Sequence, residues 1–273
     1  MKLLEINPAL TRRVLTQFIR EHTRKQGFNR VLLGLSGGLD STVAAYLSVE
    51  ALGKDGCIGV FLPHRITDPS ALQDAQAVAA SLGISTRLVE ISPMVASFEA
   101  SFPGMTQLQR GNVMARVRMI ALFQISAEEN ALVLGTSNKT ELLLGYGTLH
   151  GDLAAALEPL GDLYKTQVRA LAEHLGVPET IRIKTPSADL WAGQSDEAEL
   201  GFTYAEADRL LVRWVDCRYT RQNLLDEGFD ADFVDRITHR VMGQQFKRTL
   251  PPVPKISSRT IGADFLYARD WMK

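Results

Sequence analysis

The sequence predicts an α/β fold, a twisted parallel sheet flanked by helices with helical N- and C-terminal extensions. Three observations carry that expectation. Short apolar runs, rich in branched residues, at 31–35, 57–62, 86–91 and 131–135 have the length and composition of buried strands. Helically spaced segments separate them, which calls for parallel strands joined by right-handed crossovers. The first and fourth runs lead into glycine or polar turns and then a helix, which places ligands at the carboxyl edge of the sheet.

In chain order, Asn7 can cap a first helix with Pro8 in its opening turn, and Leu10, Val14, Leu15, Phe18 and Ile19 form one apolar stripe. The strand at 31–35 runs into Ser36-Gly37-Gly38-Leu39-Asp40-Ser41, then a helix over 42–52 that stops at Gly53. The second strand ends at Pro63-His64-Arg65, and Asp68-Pro69 opens a helix to Leu82, stopped by Gly83. After the third strand, Val113, Val117, Ile120, Ala121 and Gln124 mark a long helix over 111–128. The fourth strand leads into Gly135-Thr136-Ser137-Asn138-Lys139-Thr140-Glu141, and a lysine, Lys165, sits just before a helix over 167–175. Beyond Gly176 the pattern turns mostly helical, with a polar loop over 186–201. We expect one domain, 1–273, with a core over 28–185 and a helical part over 186–273.

Composition narrows the function. A net charge of −1 over 273 residues leaves no electrostatic footprint for nucleic acid or a membrane surface. The opening Met-Lys-Leu-Leu-Glu-Ile-Asn-Pro lacks the apolar stretch of a signal peptide. Two cysteines, Cys57 in a strand and Cys217 in a helix, support neither a disulfide framework nor a zinc site, and both read as inert thiols. A cytoplasmic enzyme fits these features.

The segment Ser36 to Ser41 carries the chemistry. Strand, glycine turn and helix aim free backbone N–H groups and a helix dipole at an anion. Gly37 and Gly38 permit positive φ and close approach, while Ser36, Ser41 and Thr42 add hydroxyl donors. A Walker A loop has lysine where this chain has Asp40. A carboxylate among phosphates needs a cation between them, so Asp40 implies Mg²⁺ bridging to a polyphosphate. A loop that grips the terminal pyrophosphate leaves the α-phosphorus open, which favours adenylyl transfer. Glu141 brings a second carboxylate to the same sheet edge.

Ser-Gly-Gly-x-Asp-Ser after a strand resembles the N-type ATP pyrophosphatases, or PP-loop proteins. The ordered set 34–41, 111–119, 133–145, 161–167, 186–189 and 194–201 resembles the NAD⁺ synthetases more narrowly, over most of the chain. The resemblance implies a Rossmann-like three-layer fold of the adenine-nucleotide alpha hydrolase kind. It also implies two-step chemistry: ATP adenylates the nicotinate carboxylate of deamido-NAD⁺, and ammonia then displaces AMP. By the same resemblance Gly34, Leu35, Ser36, Gly37, Gly38, Leu39, Asp40 and Ser41 cradle ATP, and Thr136, Lys165 and Ser187 contact it. Asp40 and Glu141 would hold Mg²⁺, Asp40 and Lys165 would be catalytic, and Arg116, Asp152 and Lys247 would bind the dinucleotide across a homodimer interface.

The chain departs from the ammonia-fed branch at Leu149 and Ala156, where that branch has Lys and Asp, and at Phe246, where it has His. The stretch 145–152 resembles the glutamine-fed branch instead, yet the chain has no length or cysteine chemistry for a glutaminase. Free ammonia is the expected donor, with a separate glutaminase left open as a partner. The nearest rival is another PP-loop adenylating enzyme, an amidotransferase such as a GMP synthetase or a tRNA-thiolating enzyme, and thiolation would need paired cysteines and a basic surface. An ATP-binding regulatory module would not require both carboxylates.

Overall fold

The computed structural model describes residues 2–191, 193–262 and 264. Four strands form one sheet: β1 Val31–Gly34, β2 Cys57–Phe61, β3 Ser85–Leu88 and β4 Leu132–Val133. Helices α1 Pro8–Lys25, α2 Leu39–Leu52, α3 Pro69–Leu82, α4 Ser92–Ser101 and α5 Gln107–Glu129 interleave with them. After β4 come α6 Lys139–Leu144, α7 Lys165–His174, α8 Glu179–Arg182, α9 Asp196–Leu200, α10 Tyr204–Leu211, α11 Arg221–Asp226 and α12 Ala231–Gly243.

The strand order is β3-β2-β1-β4, and every pairing is parallel. The chain lays strands outward from β1 to β3, then returns past β1 to add β4 on the other side. That reversal splays the connections after β1 and β4 apart and opens a crevice at their carboxyl ends, where α/β sheets bind ligands.

Both faces of the sheet are covered at its inner strands, β1 and β2. Val31 and Leu33 pack with Ile19 of α1, Val43 and Leu47 of α2, and Val168 and Leu171 of α7. Leu32, between them, points to the opposite layer with Val95 of α4 and Met114, Val117 and Ile125 of α5. This alternation in a strand buried on both sides is what a three-layer parallel architecture demands. A further cluster unites Leu144 of α6, Leu200 of α9, Tyr204 and Leu210 of α10, and Val234 and Ile237 of α12.

Several boundaries differ from the sequence reading, each for a local reason. Helix α2 begins at Leu39, so Asp40 lies inside its first turn. Helix α5 starts at Gln107 because Thr106 and Gln109 form a capping box, and α4 has no counterpart in the expected elements. The β4 register with β1 covers Leu132 and Val133; Leu134 N–H still donates to the Leu32 carbonyl at 2.8 Å, and Leu134 also bridges Leu157 on its other side. β3 spans Ser85–Leu88 and is exposed along its length, as an edge strand can be. On α1, Leu10 and Val14 are exposed while Ile19 alone of the stripe is fully buried. Cys217 lies just past a π-helical turn, Val212–Asp216, not inside an α-helix, and is exposed; Cys57 is buried. The polar stretch 186–201 contains α9. Positions 265–273 of the expected helical extension lie outside the described residues.

Candidate active site

The loop after β1 is tied off by its own side chains. Leu35 N–H still donates to the Val60 carbonyl of the sheet, at 2.9 Å. Gly38 N–H donates to Ser36 Oγ at 3.2 Å, and Ser41 Oγ and Thr42 Oγ1 donate to the Gly38 carbonyl at 3.1 and 2.8 Å. The hydroxyls that the sequence reading assigned to a ligand thus brace the loop, and Thr42 is fully buried. Gly37 takes φ 76° and turns its Cα onto α3, where a Cβ would lie 2.2 Å from the Ala71 carbonyl oxygen. Only glycine fits there.

Across the crevice, Asn138 caps α6. Its Oδ1 accepts from Glu141 N–H at 3.0 Å, and its own N–H donates to Glu141 Oε2 at 3.1 Å. The remaining amide, Nδ2, donates to Asp40 Oδ1 at 3.0 Å and so links the helix after β4 to the helix after β1. Lys165 opens α7, and its buried Nζ lies 2.5 Å from Asp40 Oδ2 and 3.2 Å from Glu141 Oε1. Its ammonium also stands 5.0 Å from the centre of the Tyr204 ring. Burial alone would drive the Lys165 pKa down, but the two carboxylates more than offset it and hold the ammonium above its ordinary range. Burial pushes Glu141 up; Lys165 opposes that shift and Asp40 adds to it.

Two carboxylates from different strand ends therefore already converge on one cation. Hard oxygen donors in that arrangement suit Mg²⁺, which keeps waters and substrate phosphates in its shell and takes few protein ligands. Among the described residues no third His, Cys, Asp or Glu joins them to complete an all-protein metal cluster. The residues present fit a Mg²⁺ ion shared with a polyphosphate.

A cleft of about 1070 Å³ runs from these groups over the sheet edge. Of the residues singled out from the sequence, Gly34, Leu35, Ser36, Gly38, Leu39, Asp40, Ser41, Thr136, Glu141, Asp152, Lys165, Ser187 and Lys247 line it. Gly37 lies behind it. Arg116 is exposed away from it and donates to the Leu149 carbonyl at 3.3 Å, whereas Arg118 faces the cleft. Lys247 Nζ donates to the Gly145 and Gly147 carbonyls, 2.8 Å each, and Thr148 N–H donates to Asp152 Oδ1 at 2.9 Å. Ala156 donates its N–H to the Val133 carbonyl at 2.9 Å and does not line the cleft.

Sequence reasoning passed over several groups that build this site. Asp196 is buried and accepts from Tyr146 Oη, Tyr204 Oη and Ala188 N–H, each at 3.1 Å. Glu158 packs so closely on Gly135 that a Cβ there would meet its Oε1 at 2.0 Å. Its Oε2 accepts from Ser137 N–H at 3.2 Å, and burial pushes its pKa up to about 8. The capping-box pattern Asn-x-x-Glu at 138–141 was a readable signal for Asn138, and Asp196 lay in the family-matching segment 194–201 without being given a role; Glu158 had no signal.

A family profile for NAD synthase matches residues 11–251. The NH(3)-dependent NAD(+) synthetase of Trichlorobacter lovleyi is 50% identical over 273 residues, covering 100% of both chains. That of Chlorobium phaeovibrioides is 48% identical over 270 residues, 99% of this chain and 98% of its own. Among solved structures, an NH3-dependent NAD synthetase from Campylobacter jejuni in complex with the nitrate ion superposes with a TM-score of 0.79 at 31% identity, covering 92% of this chain and 100% of that one. An NMN synthetase from Francisella tularensis gives 0.82 at 32% identity over the same shares.

Proposed function

The chain belongs to the NAD synthase family, and from that premise we propose how its own residues carry the ATP-dependent amidation of deamido-NAD⁺ with ammonia. The observation that carries the reading is the buried Lys165 ammonium held between Asp40 and Glu141 at the β1 and β4 ends of one cleft.

The nicotinate carboxylate attacks the α-phosphorus of ATP, the bond to the β,γ-bridged leaving group breaks, and pyrophosphate departs. Ammonia then adds to the adenylated carbonyl, loses a proton, and AMP leaves with the C–O bond electrons. Neither step needs a protein nucleophile, so the protein contributes positioning and charge stabilisation. The Ser36–Ser41 turn offers backbone N–H groups at the start of α2 to the departing pyrophosphate. Lys165 neutralises charge that develops on the phosphates, and Asp40 and Glu141 keep it there. A Mg²⁺ ion held by the same two carboxylates would supply Lewis-acid stabilisation of polyphosphate charge. Thr136 and Ser187 border the ATP half of the cleft and Asp152 and Lys247 the dinucleotide half in this reading, while Arg116 would reach the dinucleotide from outside this chain's own cleft. Lys247 acts there by bracing the 145–147 turn.

The second chain of a homodimer is part of the proposal. Ile120 and Phe123 project from α5 more than two-fifths exposed, an apolar face suited to pairing about a two-fold axis. No helix among the described residues is long and apolar enough to cross a membrane, and the ATP and dinucleotide substrates make the cytoplasm its setting.

The test is pyrophosphate release from ATP and deamido-NAD⁺ with ammonium. Asp40→Asn and Glu141→Gln should each abolish it while circular dichroism stays native. Release near the wild-type rate by either variant removes that residue from the site. Glutamine as sole nitrogen donor should give no NAD⁺, and comparable rates with glutamine would overturn the ammonia reading.

A further inference from the structure

Asp208 lies on α10, in the helical cluster behind the sheet, and is fully buried. Its carboxylate faces two helix starts. Oδ1 accepts from Thr140 Oγ1 at 2.5 Å, and Oδ2 accepts from Thr166 N–H at 2.8 Å. Thr140 Oγ1 in turn accepts from Lys165 N–H at 2.9 Å. Thr140 precedes Glu141 in the first turn of α6; Lys165 and Thr166 open α7. One carboxylate therefore satisfies two of the amides that α7 leaves unpaired at its start, one directly and one through the threonine hydroxyl. A buried anion at that end is also favoured by the dipole. One helical turn earlier on α10, Tyr204 places its ring under the same Lys165 ammonium. Its hydroxyl is fixed in turn by Asp196.

Asp208 does not line the cleft. We propose that it is a positioning residue, which staples the first turns of α6 and α7 together and so sets the distance between Glu141 and Lys165. The helical cluster is then part of the catalytic geometry, because α10 alone determines where this carboxylate stands. The inference rests on the NAD⁺ synthetase reading of the site, and its control is the wild-type enzyme assayed in parallel. Wild type that fails to amidate deamido-NAD⁺ refutes that reading; wild type that succeeds leaves the variants to judge Asp208.

The variants are Thr140→Val, Thr140→Ser, Asp208→Asn and the Thr140→Val/Asp208→Asn pair. Asparagine keeps the shape of Asp208 but offers one acceptor oxygen where two are used. Valine removes a single oxygen from Thr140, so the test stands on it even where Asp208→Asn fails to fold. A helix start displaced by a fraction of an ångström should lower kcat for pyrophosphate release by about 10- to 100-fold. KM for deamido-NAD⁺ should stay within about twofold, since neither residue meets that substrate. Thr140→Ser restores the hydroxyl and should keep kcat within about threefold of wild type. The double variant should fall no further than the worse single, because both act through one network. Wild-type kcat in Thr140→Val overturns the proposal. So do additive losses, or equal losses in Thr140→Ser and Thr140→Val, which would mark a role in packing only.

Discussion

Replacing Gly37 with alanine tests whether the loop after β1 is held by contact with α3. The backbone there has φ 76°, left-handed for an L-residue, which costs about 1–2 kcal/mol. The new methyl would sit 2.2 Å from the Ala71 carbonyl oxygen and 3.2 Å from Asp74 Cβ. The first distance is more than ~1 Å short of a comfortable non-bonded contact. Ala71 O is backbone in the first turn of α3, so it cannot rotate away, and the loop must back out into the cleft. Strain and displacement together should cost about 3 kcal/mol, roughly 6 °C in melting temperature for a chain of this size. A shift near ~1 Å at the phosphate-facing amides should lower pyrophosphate release about 100-fold. Gly83→Ala separates the two effects. It has φ 64°, and a Cβ there meets nothing nearer than Lys54 Cδ at 3.7 Å, so it should lose about 1 kcal/mol of stability and no activity. Melting curves and pyrophosphate release on both variants decide the matter. Should Gly37→Ala behave like Gly83→Ala in both measurements, the close packing of loop on α3 is refuted.

Lys165→Ala should leave Asp40 and Glu141 facing each other without their cation, costing about 3–5 kcal/mol, as broken buried pairs do. Mg²⁺ should therefore raise the melting temperature of this variant more than that of wild type; equal shifts would contradict the shared cation position. Glu158 gives a pH signature. Its folded pKa, raised by burial to about 8, lies well above the unfolded value of about 4.3, so the folded chain keeps a proton that the unfolded chain releases. Its contribution to stability is whole below the unfolded pKa and is lost as pH rises through about 8. Glu158→Gln should gain on wild type in melting temperature from pH 6 to 9, and a gap that stays constant would show that the carboxyl ionises normally.

What could be read from the sequence, and what could not, divides along the helices. Asp40 and Glu141 could be placed at one sheet edge because each follows a strand and opens a helix, where glycine, cap and charge patterns are local, whereas Lys165 drew its role only from the family resemblance. The strand order was not legible, but its consequence was: helices that follow parallel strands bring their first turns to one edge. Side chains in helix middles escaped. Asp208 meets Thr140 across 68 positions and Thr166 across 42, and in the sequence it looks like any acid on the polar side of an amphipathic helix. Arg116 and Arg118 show the same difficulty at short range. Two residues along a helix are about 200° around it, so one of the pair faces away from whatever the other faces. The motif match favoured Arg116, and the structure turns Arg118 into the cleft while Arg116 reaches Leu149 at the rim. Arg116 can meet the dinucleotide only from outside this chain's own cleft, which is where a second subunit packed on Ile120 and Phe123 would stand. The misfit between motif and monomer supports the proposed dimer: an Ile120→Asp chain, which puts a charge on that apolar face and which light scattering finds monomeric, should lose amidation, and full activity in such a monomer would sink the proposal.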